Sequence, residues 1–286
     1  MPAGSMPTGR KLNRTRDLKE RAFHDAWAAR TSLSEIRVFD AFENITAQEN
    51  RFIRAQMGEI RDLRVLDVGA GFGESSVYFA CQGARVTAND ISPVMLERCT
   101  ELAEQYGVTV SPLLSPPDRF DFGESRFDVV YGANVLHHLD DIRSFLVAVE
   151  RALAPGGRFF FFDPLAYNPV INVYRRLATD VRTEDERPLR FGHLKIFEEV
   201  FGGVSHREFW LTTLLLFLKY FLIERVHPNE DRYWKRILRE DPGRIAWWFR
   251  PLLRLDGLLL RLPLVRRLAW NIVIWGRKPA GHAPAP

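Results

Sequence analysis

Cysteine is scarce in this chain: two residues, Cys81 and Cys99, among 286. Two thiols supply no disulfide framework and fit a reducing, cytoplasmic setting. Both fall within helical patterns, where a small buried apolar role is favoured over a reactive thiol. A run of about 20 apolar residues, as a membrane-spanning helix requires, is also missing. The nearest approach, residues 209–226, is short and is interrupted by Lys219, Glu224 and Arg225. The first fifteen residues hold no apolar run and are rich in Pro, Gly, Thr, Arg and Lys. They read as a disordered lead, neither signal peptide nor membrane anchor. Charge of one sign does not dominate, since 40 basic and 36 acidic side chains leave +4. No internal repeat is evident.

The informative stretch is Val65-Leu66-Asp67-Val68-Gly69-Ala70-Gly71-Phe72-Gly73. It reads as a buried strand ending in a carboxylate, then glycines at alternate positions, then a helix from Glu74. Glycines permit a tight turn and close approach of a ligand to the backbone. A second acid, Asp90, ends the next apolar strand about twenty residues on, where such folds bind a ribose hydroxyl. A dinucleotide fingerprint would place its third glycine where Glu74 stands, and a carboxylate there repels a pyrophosphate. No Gly-Lys-Ser/Thr follows, which excludes the phosphate loop of nucleotide triphosphatases. A ligand with an ammonium and a sulfonium but no phosphate suits Asp67 and Glu74. S-adenosylmethionine is such a ligand.

Strand and helix patterns alternate downstream. Strands are expected at 64–68, 84–89, 108–113, 127–132 and 158–162, with helices at 74–82, from Pro93 to about Tyr106, and at 141–153. A helix before the first strand opens on the apparent capping box Thr46-Ala47-Gln48-Glu49. The alternation implies a parallel, doubly wound sheet whose ligands bind beyond the carboxyl ends of the strands. Asp67, Asp90, Asn134 and Asp163 all lie at those ends.

Four segments in this order, VLDVGAGFG, VTANDISPVMLERC, FDVVYGANVLHHL and LAPGGRFFFFDP, resemble the class I S-adenosylmethionine-dependent methyltransferases. The resemblance covers roughly residues 44–164. It implies a Rossmann-like, seven-stranded α/β sheet with an antiparallel last strand, and S-adenosylmethionine as cofactor with S-adenosylhomocysteine as product. The backbone of Gly69, Ala70, Gly71 and Gly73 would enclose the methionine part, and Asp67 would orient its ammonium; a strand-end carboxylate capping the turn is the alternative for Asp67. Asp90 would accept both ribose hydroxyls, since a carboxylate accepts at two oxygens. Ile91 and Met95 would line the adenine, with core packing the alternative for Met95. The acid that usually accepts from the adenine amino group is displaced here to Asp118, or its role passes to Ser115 or to backbone. Asn134 and Val135 would contact the cofactor. The resemblance implies no metal.

Of the adjacent His137 and His138, one is expected to face the site, and His138 is assigned that place as general base, with Glu186 and His193 as further candidates. The segment after Asp163-Pro164 resembles a bacterial subgroup in its Asn-Pro, Tyr-Arg-Arg and Arg-Thr-x-Asp-Glu run, which marks Tyr167, Asn168 and Arg182 as substrate residues. Residues 1–43 are expected to form a disordered or helical extension, 44–211 the core with 164–199 as substrate segment, 212–269 a helical insertion between the last two strands, and 270–286 the last strand and tail. In the insertion, Arg244, Arg250, Arg254, Arg261, Arg266 and Arg267 stand among Trp247, Trp248, Phe249 and leucines, with Asp256 the one acid nearby. This fits either a cap over the site or a helix in an anionic membrane interface. No nucleic-acid module is appended, and nucleic acid is not expected as a partner. The expected activity is methyl transfer to O, N or C of a small, hydrophobic or lipid-like acceptor. The alternative is a non-catalytic cofactor-binding partner whose insertion docks a protein or a membrane.

Overall fold

A computed structural model describes residues 14–115, 120–124, 126–180 and 186–280. Seven strands form one sheet: β1 (Arg64–Val68), β2 (Arg85–Asp90), β3 (Val110–Leu114), β4 (Phe127–Ala133), β5 (Leu153–Pro164), β6 (Val204–Phe209) and β7 (Asn271–Arg277). Their order is β3-β2-β1-β4-β5-β7-β6. The first five are parallel, and β7 runs antiparallel between β5 and β6. The strand order reverses between β1 and β4, which opens a crevice at their carboxyl ends.

Eleven helices accompany the sheet among the described residues: α1 (Arg14–Arg30), α2 (Asp40–Glu43), α3 (Gln48–Met57), α4 (Glu74–Cys81), α5 (Pro93–Gln105), α6 (Ile142–Ala152), α7 (Pro169–Leu177), α8 (Leu194–Phe201), α9 (Leu215–Leu218), α10 (Tyr233–Arg236) and α11 (Pro242–Leu259). Local chemistry sets several starts. Ser92 caps α5 by accepting from the Met95 N–H at 3.0 Å, ahead of Pro93 in the first turn. Asp141 caps α6 through the Ser144 N–H at 3.0 Å.

Both sheet faces are covered. Alternation along β5 sends Phe160 and Phe162 to one core, shared with Ile53, Val77 and Leu102, and Phe159 and Phe161 to the other, with Leu146, Phe197 and Phe201. A strand buried on both faces needs such an apolar run. The Pro155-Gly156-Gly157 step lies inside β5, where the pairing to β4 shifts register between Phe127 and Val129.

Two sequence expectations give way to tertiary contacts. The residue preceding α3 is Ala47, with no side-chain cap, so the capping box does not form. Thr46 instead donates to the Ile237 carbonyl at 2.6 Å, and Glu49 accepts from Asn271 at 2.5 Å. The insertion and β7 have taken both side chains. Residues 209–226 are likewise not one helix apolar on all sides; a 3-10 turn (Thr212–Leu214), α9 and a π-helical turn (Lys219–Ile223) follow one another. Leu214, Leu216, Phe217 and Tyr220 are buried, whereas Leu215, Leu218, Phe221, Leu222 and Ile223 are exposed.

Candidate active site

A cavity of about 380 Å³ lies at the carboxyl ends of β1, β2, β4 and β5. The β1–α4 turn forms one wall. Gly69, Gly71 and Gly73 all hold positive φ, at 67°, 55° and 89°. A Cβ on Gly73 would come within 2.4 Å of Cys99 Sγ, so this glycine also permits close helix packing. Cys99 is buried, and burial pushes its thiol up to about 12, as befits an inert packing residue.

Asp67 is almost fully buried and accepts from Ser76 Oγ at 2.6 Å. Burial raises its carboxyl to about 7; the Ser76 hydroxyl opposes the shift, and the nearby Glu74 and Asp90 add to it. Asp90 accepts from the Gly71 N–H with one oxygen and from the Ser92 N–H with the other, both at 2.9 Å. Burial raises it as well, against those hydrogen bonds. Ile91 and Ser115 continue this wall, and Asn89 and Ser115 bond each other at 2.8 Å. At the end of β4, Asn134 takes φ 55°, a left-handed conformation that asparagine tolerates better than most residues. Val135 follows it in the cavity wall.

The two histidines differ in their partners. His137 Nδ1 lies 2.6 Å from Asp163 Oδ1, and Asp163 also accepts the backbone N–H groups of Leu136 and His137. Burial raises the Asp163 carboxyl to about 7 against these bonds. His138 Nδ1 lies 2.7 Å from Glu20 of α1. Burial would raise Glu20, but hydrogen bonds and charge from His138 and His24 hold it well below the usual carboxylate range. The two imidazole centroids are 4.0 Å apart. His137, His138 and Glu186 each bring one potential ligand atom within 4.8 Å of the others, so a divalent cation could be held there.

The remaining walls come from far away in sequence. Trp27 of α1 meets Phe72 of the glycine turn edge-on at 5.1 Å and Trp234 of the insertion at 5.8 Å. The Arg232 guanidinium lies over Trp27 at 3.7 Å, and Lys235 pairs with Glu74. Phe120, Phe145, Phe162, Ile171, Trp210 and Trp270 make the rest largely aromatic, and Glu49 and Asn271 face the same space.

Residues 66–161 match the methyltransferase-domain family. The chain carries a class I S-adenosylmethionine-dependent methyltransferase domain. A ubiquinone biosynthesis O-methyltransferase of Cereibacter sphaeroides is 33% identical over 115 residues, covering 40% of this chain and 46% of that protein. The sterol 24-C-methyltransferase erg6 of Aspergillus fumigatus is 27% identical, covering 73% of this chain and 51% of its own length. The chain thus spans about half the length of the curated relatives it matches. Two solved structures share the fold. Phosphoethanolamine N-methyltransferase 2 of Haemonchus contortus has a TM-score of 0.53 at 16% identity over 90% of this chain and 60% of that one. The YcgJ protein of Bacillus subtilis has 0.51 at 19% identity over 80% of this chain and 98% of that one.

Within the methyltransferase domain, Asp67, Gly69, Ala70, Gly71, Asp90, Ile91, Asn134, Val135 and His138 line the cavity, and Glu186 joins them from beyond β5. Gly73 and Met95 do not line it; Met95 is fully buried in the core. Asn168 and Tyr167 are also absent from the lining. Asn168 caps α7, accepting from the Ile171 N–H at 3.0 Å, and the Tyr167 hydroxyl accepts from the Phe191 N–H at 3.3 Å. His193 closes a 3-10 turn by accepting from the Arg190 N–H at 3.3 Å, and burial and Arg190 lower its pKa. Asp118 and Arg182 lie outside the described residues. Sequence reasoning overlooked Glu20, His24 and Trp27, because a polar N-terminal helix looks like a solvated one. It also overlooked the link between Asp163 and His137. The strand-end position of Asp163 was the available signal.

Proposed function

We propose that the methyltransferase domain binds S-adenosylmethionine along the β1, β2 and β4 ends and transfers its methyl group to a small, largely apolar acceptor in the same cavity. One observation carries this reading: a single cavity joins the Asp67 and Asp90 carboxylates to the His137–Asp163 pair. Asp67 holds the ammonium, Asp90 accepts from the ribose hydroxyls, and the glycine turn admits the chain between them. The aromatic lining favours an apolar acceptor. Relatives named for ubiquinone biosynthesis and sterol methylation support that class.

S-adenosylmethionine held there would supply an electrophilic methyl group, the acceptor's lone pair bonding to the methyl carbon as the carbon–sulfur pair leaves on sulfur as the neutral thioether. Alignment of the two within a closed site can supply roughly 7–11 kcal/mol of the barrier. His137 takes the acceptor's proton at Nε2, because Asp163 holds the proton on Nδ1 and stabilises the imidazolium. His138, engaged by Glu20, positions α1 over the site.

Calorimetric titration with S-adenosylhomocysteine tests the cofactor site. Loss of the Asp90 acceptor in Asp90→Ala is expected to weaken binding about 10- to 100-fold. Unchanged affinity would remove Asp90 from the site. Incubation with methyl-labelled cofactor and an apolar metabolite extract tests transfer. With the labelled product in hand, His137→Ala is expected to lower turnover by about 10²–10⁴-fold while leaving S-adenosylhomocysteine affinity within about twofold. Turnover at the parental rate would dismiss His137 as the base.

A further inference from the structure

The outer face of the insertion is apolar and basic at once. Leu222 is 64% exposed, Ile223 75%, Trp247 79%, Leu258 61% and Leu264 78%. Monomeric soluble proteins scatter such side chains singly; a concentration of them marks an interaction surface. On α11 the exposed residues Trp247, Pro251, Leu255 and Leu258 recur at helical spacing, while Ile245, Phe249 and Asp256 turn inward. The 3-10, α and π turns of residues 212–223 are bound to α11: Thr212 and Thr213 donate backbone and hydroxyl hydrogens to Asp256.

Charge accounting gives the partner its sign. Apart from the exposed Glu230, which among the described residues accepts only from the His227 N–H at 3.4 Å, the insertion's acids are engaged within the protein. Glu224 pairs with Lys219 and Arg236, Asp231 with Arg236 and Arg239, and Glu240 with Lys219. Asp241 caps α11, and Asp256 holds the two threonines. In contrast, Arg244, Arg250, Arg254, Arg261 and Arg267 are exposed, and none makes a salt bridge among the described residues. Arg250 and Arg254 stand on the same exposed side of α11 as Trp247. Among the described residues, no helix is long and apolar enough to cross a bilayer.

We infer that this face docks the protein on an anionic lipid surface, with Trp247, Leu258 and the 218–223 turn entering the headgroup boundary and the arginines meeting lipid phosphates. An interfacial segment needs this combination of apolar side chains and unpaired cations, without the length of a span. The aromatic ring of Trp247 suits the boundary level, and arginine stems can lie along the apolar layer while their heads reach phosphate.

Flotation of the full chain with vesicles tests the inference without reference to activity. The protein is expected to float with vesicles of mixed phosphatidylcholine and phosphatidylglycerol, and to do so less at high salt and with phosphatidylcholine alone. R250E/R254E/R261E, three exposed changes, is expected to lower the partition coefficient at least about tenfold. W247S/L258S should lower it at moderate salt, where charge alone is screened. Failure to float with anionic vesicles overturns the inference, as does equal flotation of the triple variant. Concentration-dependent self-association abolished by W247S/L258S, in a protein that does not float, would assign the face to a second copy instead.

Discussion

At the scale of single residues, Asp67 is the site's most consequential titrating group. Burial lifts it to about 7 from an ordinary value of 3.8. In the ligand-free protein a raised pKa favours the protonated form. The stabilisation linked to that proton is present below pH 3.8 and is lost as pH rises through about 7. Cofactor binding has the opposite sense, because an ammonium prefers the ionised carboxylate. Affinity for S-adenosylhomocysteine is therefore expected to rise with pH up to about 7 and then level off. Below that point it should fall by about tenfold per pH unit at the limit. Asp90 is raised in the same direction, so Asp67→Asn should reduce the slope and leave a remainder. Calorimetry from pH 5.5 to 8.5 measures this; an affinity flat across that range would show that Asp67 does not meet the ammonium. The shift itself could not be read from sequence. A strand-end Asp is visible there, but its desolvation depends on tertiary packing around it.

At the scale of elements, the sheet was legible because its information is local. Apolar runs bounded by Gly, Pro and Asp placed β1, β2, β4 and β5 within a few residues, and the strand ends pointed to Asp67, Asp90 and Asn134, which line the cavity. The parts that went astray depend on distant partners. Thr46 and Glu49 fit a capping box by spacing, yet Ile237 and Asn271, about two hundred residues on, claim their side chains. Asn168 caps α7 and also donates to the Leu268 carbonyl, a hundred residues on, at 2.5 Å, while the Tyr167 hydroxyl accepts from the Phe191 N–H; neither partner is visible in the charged segment around them. α1 gave no apolar stripe strong enough to place it, although Trp27 closes the cavity. Trp27 sits between Phe72 and Trp234 with Arg232 across its face. Such aromatic and cation contacts are each worth about 0.5–2 kcal/mol beyond burial. Trp27→Ala is expected to speed S-adenosylhomocysteine release by about tenfold or more in stopped-flow displacement. Release at the parental rate would mean that α1 does not retain the ligand.

At the scale of the whole molecule, two segments far apart in the chain converge on the site at the middle of the sheet. α1 reaches the site through Glu20 and Trp27, and the insertion reaches it through Arg232, Trp234 and Lys235, about two hundred residues later. The two contact each other across Trp27, so an opening of one is expected to disturb the other. A ligand filling the cavity touches the glycine turn beneath both. Binding only the closed form stabilises it by about 2.7 kcal/mol when ligand stands at a hundredfold its dissociation constant. That free energy should appear in both covering segments at once. With saturating S-adenosylhomocysteine, hydrogen exchange is expected to slow in residues 18–30 and in residues 232–239 together, by up to about a hundredfold for amides that exchange through lid opening. The β1, β4 and β5 amides, which exchange through global unfolding, should gain protection in step with the rise in global stability. Protection of the glycine turn alone, with both covering segments exchanging as before, would separate the lid from the cofactor and leave α1 and the insertion as scaffolding around a site that stays open.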